Sequence, residues 1–196
     1  MAVVAAAPKK NTWIVTGCSN GMGLALARYI LTTGDNVIAT SRNPSNTPEL
    51  VEEIQSHPNG AWLRLDVLWT QDEISEAIGA ADALFDGGIT VTVNNAGYVV
   101  LGAIEDMAEA DAKAEFETNV WGCLRVCKAI IPKMRQRKSG TIVQISSVCG
   151  LAVFPALGMY SASKFALEGK GNYLTSQIIS LSQLQNKYSH PLMHCT

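Results

Sequence analysis

Tyr160 and Lys164 stand four positions apart in Tyr160-Ser161-Ala162-Ser163-Lys164. On a helix, residues at that spacing project from one face, one turn from each other. An ammonium so placed favours a phenolate, and so lowers a tyrosine pKa from its model value of ~10. A phenol tuned toward neutrality gives or takes a proton at a carbonyl or alcohol oxygen. By itself such a pair is also an ordinary helix-surface pair, and residue types alone leave both readings open. Three other stretches carry chemistry: the glycine-rich Gly17-Cys18-Ser19-Asn20-Gly21-Met22-Gly23, Asn94-Asn95-Ala96-Gly97, and Ser146-Ser147.

The surrounding sequence predicts the elements that position them. Thr12 to Thr16 is an apolar, β-branched run that reads as a buried strand. After the glycines, Leu24, Leu26, Ala27, Ile30 and Leu31 recur at helical period, and Gly34 ends that helix. A strand, a glycine-rich turn and a helix point free backbone N–H groups at a phosphate, although a glycine-rich turn is often only a turn. Further strands are expected at 37–40, 62–65, 89–93 and 141–145. Helices are expected to start at Thr47-Pro48-Glu49, with a capping threonine, and at the capping box Thr70-Gln71-Asp72-Glu73. A long helix is expected from about Ala110 to Lys138, kinked at Pro132 and ended by Gly140. Another opens at Tyr160. Strands alternating with helices predict a parallel sheet covered on both faces, in one domain. In such sheets ligands sit at the C-terminal strand ends, and the chemistry-bearing residues, Asp66 among them, all follow strands.

Bulk properties narrow the function. The 196 residues are 47% hydrophobic and 16% charged, which describes a globular chain with room for a core. A formal net charge of -2 and no dense basic block argue against nucleic acid. Five scattered cysteines without a Cys-x-x-Cys pair read as reduced thiols in a cytoplasmic protein, and no metal site is expected. No stretch approaches the ~18 apolar residues of a membrane span.

Together these residues resemble the short-chain dehydrogenases/reductases of the single-domain type. Thr16-Gly17-x3-Gly21-x-Gly23 is similar to the family's cofactor motif, and Asn94-Asn95-Ala96-Gly97 to its fourth-strand motif. Asn119, Ser147, Tyr160 and Lys164 match its catalytic four in order and spacing. The resemblance covers about residues 11–169, with residues 1–10 as an N-terminal extension. It implies an α/β fold, a Rossmann-like doubly wound parallel sheet with strands 1–5 present and the family's last strands missing. It also implies an oxidoreductase interconverting a small-molecule carbonyl and a secondary alcohol. Tyr160 would be the proton donor or acceptor and Ser147 a hydrogen-bond donor to the substrate oxygen. Lys164 would tune the tyrosine and hold the nicotinamide ribose, and Asn119 would hold a water that completes a proton relay. Gly17, Gly21, Met22, Gly23, Asp66 and Asn94, with Tyr160 and Lys164, would bind the cofactor. An acid after the second strand binds the 2′-hydroxyl of NAD, whereas an arginine accommodates the 2′-phosphate of NADP. Here the strand ends Thr40-Ser41-Arg42, which favours NADP(H) over NAD(H). The helices carrying Asn119 and Tyr160 are the expected faces of a homo-oligomer.

After Gly169 the resemblance stops. Lys170-Gly171-Asn172 breaks the pattern, Ser176 to Leu184 stays compatible with a helix but does not continue the apolar face set by Phe165, and residues 170–196 read as an atypical tail foreign to the fold; a retained intron is one origin for it. The fifth strand would then be a bare apolar edge. A second reading therefore stays open: a truncated, inactive relative acting at most as a nucleotide-binding or interaction module.

Overall fold

The computed structural model describes the backbone of residues 10–184 and the side chains of residues 10–171. The expected N-terminal extension, apart from Lys10, and residues 185–196 of the tail lie outside the described residues. Five strands form one parallel sheet: β1 (Thr12–Val15), β2 (Asn36–Ser41), β3 (Gly60–Arg64), β4 (Val91–Asn94) and β5 (Thr141–Gln144). Their order is β3-β2-β1-β4-β5, so the chain reverses direction across the sheet between β1 and β4. A crevice for a ligand opens at such a reversal, beyond the C-terminal strand ends.

Residues alternate across the sheet with the two-residue period of a strand. Ile14 and Ile38 pack on one face with Ile74, Ile78, Val126 and Ile130. Val15, Val37 and Ala39 pack on the other with Leu24, Ala27 and Ile30. The second face is covered by α1 (Gly21–Thr33) and α2 (Pro48–Gln55), and the first by α3 (Gln71–Asp82) and α5 (Cys123–Arg137). Each fully buried aliphatic side chain contributes roughly 1.5–3 kcal/mol.

Local signals behave unevenly. Gly34 ends α1 in the left-handed region at φ 83°, and the Thr70/Glu73 capping box forms at α3. Thr47 does not cap α2: its backbone follows a short 3₁₀ turn and its hydroxyl is buried without a partner, so Pro48 alone marks the start. The expected long helix is α4 (Glu109–Phe116), a π-helical turn (Glu117–Gly122) and α5. The departure from α geometry is at Asn119, whereas the helix runs on through Pro132. Lys138, not Gly140, closes α5, taking the left-handed conformation at φ 53°.

The last helix, α6 (Gly158–Leu184), passes through Lys170-Gly171-Asn172 without the expected break. An interior glycine costs a helix only about 1 kcal/mol, less than the turns on either side can supply. Lys170 also reaches back into the domain, donating from Nζ to Cys123 Sγ at 2.9 Å. Among the described residues no helix is long and apolar enough to cross a membrane, and no cluster of His, Cys, Asp or Glu could hold a metal.

Candidate active site at the strand ends

The turn after β1 is held in shape by the end of β4. Thr16 Oγ1 accepts from the N–H groups of Asn95 and Ala96, both at 3.0 Å. Asn95 Nδ2 donates to the carbonyls of Thr16 at 2.8 Å and Gly17 at 3.1 Å. Asn95 is thus the clamp between the two strand ends, a role its sequence position inside a motif does not reveal. Gly17 takes φ +72° against Ala96. At Gly23 a Cβ would lie 2.5 Å from Asn95 Nδ2 and from the Gly17 carbonyl, so only glycine lets α1 start this close to the turn.

The start of α1 is open. Asn20 makes no side-chain cap, and the N–H groups of Gly21, Met22 and Gly23 have no partner among the described residues. Gly21 has φ +56°, and a Cβ there would meet nothing within 4 Å. Free first-turn donors beside an empty approach are what an anionic diphosphate requires. This part of the site therefore fits a dinucleotide.

The outer strand ends supply the remaining cofactor candidates. Arg42 is exposed just past β2, and its carbonyl accepts from Arg64 Nε at 3.2 Å. Asp66 follows β3, with Oδ1 accepting from Leu68 N at 3.0 Å. The Asn94 side chain does not face the crevice. It is buried and donates to Gln144 Oε1 at 3.1 Å and Cys127 Sγ at 3.3 Å. Strand alternation turns the side chain of residue 94 inward, where that of Asn95 turns to the glycine turn.

The other side of the crevice carries the catalytic candidates. Lys164 is buried on α6 at 7% exposure, and its Nζ donates to the Ile145 carbonyl at 2.9 Å. Its ammonium is 5.6 Å from the centroid of the Tyr160 ring. Burial lowers the Lys164 pKa, while the neighbouring Cys123 and Glu115 oppose that shift. At Gly97 a Cβ would meet Asn119 Oδ1 at 2.9 Å and Lys164 Nζ at 3.9 Å, so the glycine brings the Asn-Asn-Ala-Gly turn up to both.

Asn119 is fully engaged. Its Oδ1 accepts from Tyr98 N at 3.0 Å, and Nδ2 donates to Tyr98 O at 2.9 Å and Ser163 Oγ at 3.1 Å. The side chain joins the π turn to the loop after β4 and to α6, one turn from Lys164. One helical turn earlier, buried Glu115 accepts from Val100 N at 2.9 Å, a second anchor on the same loop. Burial raises the Glu115 pKa, opposed by that hydrogen bond and by the charge of Lys164.

Ser147 follows β5 and opens a short 3₁₀ turn, accepting from Cys149 N at 3.2 Å. Its hydroxyl proton is not used in that contact. Gly150 brings the turn against α6: a Cβ there would lie 3.3 Å from the Lys164 carbonyl. Tyr160, Lys164 and Asn119 are thus linked through Ser163 on α6, and the turn that Ser147 opens packs on the same helix. Exposed apolar side chains lie on the loop after β4 and on the segment after Ser147, among them Leu101, Ile104, Val148, Leu151 and Val153, with Leu151 at 78% exposure.

The sheet order and these strand ends define a Rossmann-like α/β protein with its crevice between β1 and β4. The profile described as short chain dehydrogenase matches residues 11–178. The chain belongs to the short-chain dehydrogenase family, and the match continues nine residues past the point where the sequence motifs end. It is 38% identical over 168 residues to oxidoreductase claN of Passalora fulva, covering 85% of this chain and 75% of that one. The structure resembles a short-chain dehydrogenase from Streptomyces avermitilis, with TM-score 0.81, 34% identity, and 89% and 62% of the two chains covered. It also resembles ElxO with NADP bound, with TM-score 0.81, 27% identity, and 88% and 69% covered. Further curated relatives are matched over only 60% and 53% of their own length.

Proposed function

We propose that this protein is an NADP(H)-dependent oxidoreductase that interconverts a carbonyl compound and a secondary alcohol. The observation that carries the reading is the buried Lys164 ammonium, fixed by the Ile145 carbonyl and set beside the Tyr160 ring at the strand ends. In reduction, the Tyr160 hydroxyl gives its proton to the substrate oxygen. The nearby ammonium favours the negative charge that the phenol oxygen then carries. The Ser147 hydroxyl, whose proton is uncommitted, donates to the same substrate oxygen and stabilises charge as it develops. Asn119 fixes the loop after β4 against α6, and a water held at its turn would complete a proton relay through Lys164. The nicotinamide, when bound, supplies or accepts the hydride.

The backbone at Gly17, Gly21, Met22 and Gly23 would hold the pyrophosphate, Asp66 the adenine, and Arg42 the 2′-phosphate; Lys164 and Tyr160 would meet the nicotinamide ribose. The NADP-bound state of ElxO supports the choice of cofactor. Four buried free cysteines support a reducing, cytoplasmic setting. Trp121 and Phe165, at 51% and 45% exposure on the helices that carry Asn119 and Lys164, support pairing of two copies through those helices.

A second reading is a nucleotide-binding module without turnover. It is favoured by β5, which pairs only with β4 among the described residues, and by the exposed apolar side chains on the segment after Ser147. Titration with NADPH and NADH followed by a panel of carbonyl substrates separates the two. The first reading expects tighter NADPH binding, carbonyl-dependent oxidation of NADPH, and loss of the NADPH preference in Arg42→Asp. Binding with no turnover on any substrate selects the second, and equal affinity for the two cofactors removes the NADP assignment.

A further inference from the structure

Arg64 ends β3 beside Ser41 in the sheet register, one residue from Arg42 across the strand pair. The corner is rigid. Ser41 is buried, its Oγ accepts from Trp62 Nε1 at 3.1 Å, and its carbonyl accepts from Leu65 N at 3.0 Å. Arg64 extends that ladder by one rung with its side chain, donating from Nε to the Arg42 carbonyl at 3.2 Å. Its guanidinium carbon sits 5.2 Å from the centre of a Trp69 ring, which holds the plane of the group.

Two guanidinium-bearing side chains therefore leave the same corner. Both residues are exposed, and among the described residues neither forms an ion pair or any side-chain hydrogen bond beyond that of Arg64 Nε. The other arginines in ion pairs show the contrast: Arg28 meets Glu53, Arg125 meets Glu117 and Arg137 meets Asp82. Asp66, two residues past Arg64, spends Oδ1 on the Leu68 N–H rather than on a guanidinium. A cap on the Arg42 carbonyl uses one donor of Arg64 and leaves both terminal NH₂ groups spare. A phosphate monoester is a dianion with three acceptor oxygens, which suits two planar donors better than one.

We infer that Arg64 is a second phosphate-binding residue, which works with Arg42 to select an adenosine carrying a 2′-phosphate. The inference rests on the NADP(H) reading above and adds a determinant on β3 that the β2 rule does not contain. The pair also explains why the anchor is an arginine. Nε is tied to the neighbouring strand while the far edge of the same rigid plane stays available.

The test is calorimetric binding of adenosine 2′,5′-bisphosphate and of 5′-AMP, independent of turnover. Arg64→Gln keeps a donor for the Arg42 carbonyl but removes the charge. It is expected to weaken the bisphosphate about tenfold and 5′-AMP by less than about twofold. In an Arg42→Ala background, a residual preference for the bisphosphate is expected, and adding Arg64→Gln should remove it. Equal weakening of both ligands by Arg64→Gln would mean that Arg64 only shapes the corner, and overturns the inference. Loss of preference in Arg42→Ala with none in Arg64→Gln overturns it while leaving the Arg42 assignment standing. If the unmodified protein shows no preference at all, the NADP(H) reading falls and takes this inference with it.

Discussion

β2 lies between two strands and all six of its residues are buried, whereas β5 pairs only with β4 among the described residues and none of its four residues is buried. The glycine turn and the β2–β3 corner thus adjoin a strand buried along its whole length, although β3, like β5, pairs with one strand only among the described residues. The clamp on the glycine turn, Asn95 on Thr16 and Gly17, is made of short contacts within two adjacent strand ends. The side that carries Tyr160, Lys164, Asn119 and Ser147 is assembled from further away. Lys164 comes from α6 and is held by the Ile145 carbonyl, Asn119 comes from the π turn and is held by Tyr98 and Ser163, and Ser147 follows the edge strand and accepts from Cys149 within its own turn. On the proposed function, nucleotide affinity and catalytic geometry are separable: the first would depend on a local clamp, the second on the packing of α6 against an edge.

The sharpest way to separate them is Tyr160→Phe. Turnover should fall by about 10²–10⁴, the range for removing a general acid. NADPH affinity should stay within about twofold, because the pyrophosphate end is untouched. Near-normal turnover would dismiss Tyr160 as the proton donor.

A smaller effect on the opposite side comes from Gly23→Ala. The new Cβ would press on the Gly17 carbonyl and on Asn95 Nδ2, so α1 must withdraw from the turn. NADPH binding should weaken by at least about tenfold, and the midpoint of thermal unfolding should fall with a loss of about 1–3 kcal/mol. Unchanged affinity would mean that the open start of α1 does not hold the diphosphate.

The smallest effect is expected where the two sides are fastened together. Asp82 on α3 accepts from Arg137 of α5 at 2.8 Å and from Ile89 N, ahead of β4, at 2.8 Å. Burial raises the Asp82 pKa, but the Arg137 hydrogen bond, the Ile89 N–H and the charges of Arg137 and Lys133 outweigh it and hold the carboxyl below its usual range. A carboxyl depressed in the folded state stabilises the protein above its unfolded pKa of about 3.9, and that stability is lost as pH falls through the folded value. Asp82→Asn should cost about 1–2 kcal/mol at pH 7 and flatten the loss of stability below about pH 4. Denaturant midpoints measured from pH 2 to pH 7 check this, and parallel profiles for the two proteins would show that Asp82 contributes no such linkage.

Much of the frame was legible in the residues. Short runs marked all five strands, Gly34 and the Thr70/Glu73 box marked real helix ends, and the glycine turn, Asp66, Asn94 to Gly97 and Ser146-Ser147 do follow strands. These signals act over a few residues, so composition and spacing carry them. The failures come from competing contacts, one local and the others distant. Thr47 fits a cap by type but is turned away by the preceding 3₁₀ turn. Lys170-Gly171-Asn172 looks like a break but stays helical, with Lys170 bonded to Cys123 of α5. Asn94 and Asn95 are indistinguishable by type, and only the pleat of β4 against Gln144 and Thr16 decides which one faces inward.

The sequence by itself determined the chemistry available: a phenol and an ammonium at helical spacing, a hydroxyl after a strand, glycines where backbone must approach a ligand, and an arginine after β2. These depend on residue type and on separations of a few positions. Tertiary structure alone decided which of them meet. It buried Lys164 against the Ile145 carbonyl, closed Asn119 onto Tyr98 and Ser163, and set Arg64 beside Arg42 with no acid on either among the described residues. Those partners are separated by up to 44 positions in the chain, and strand order and register, which no local spacing encodes, bring them together.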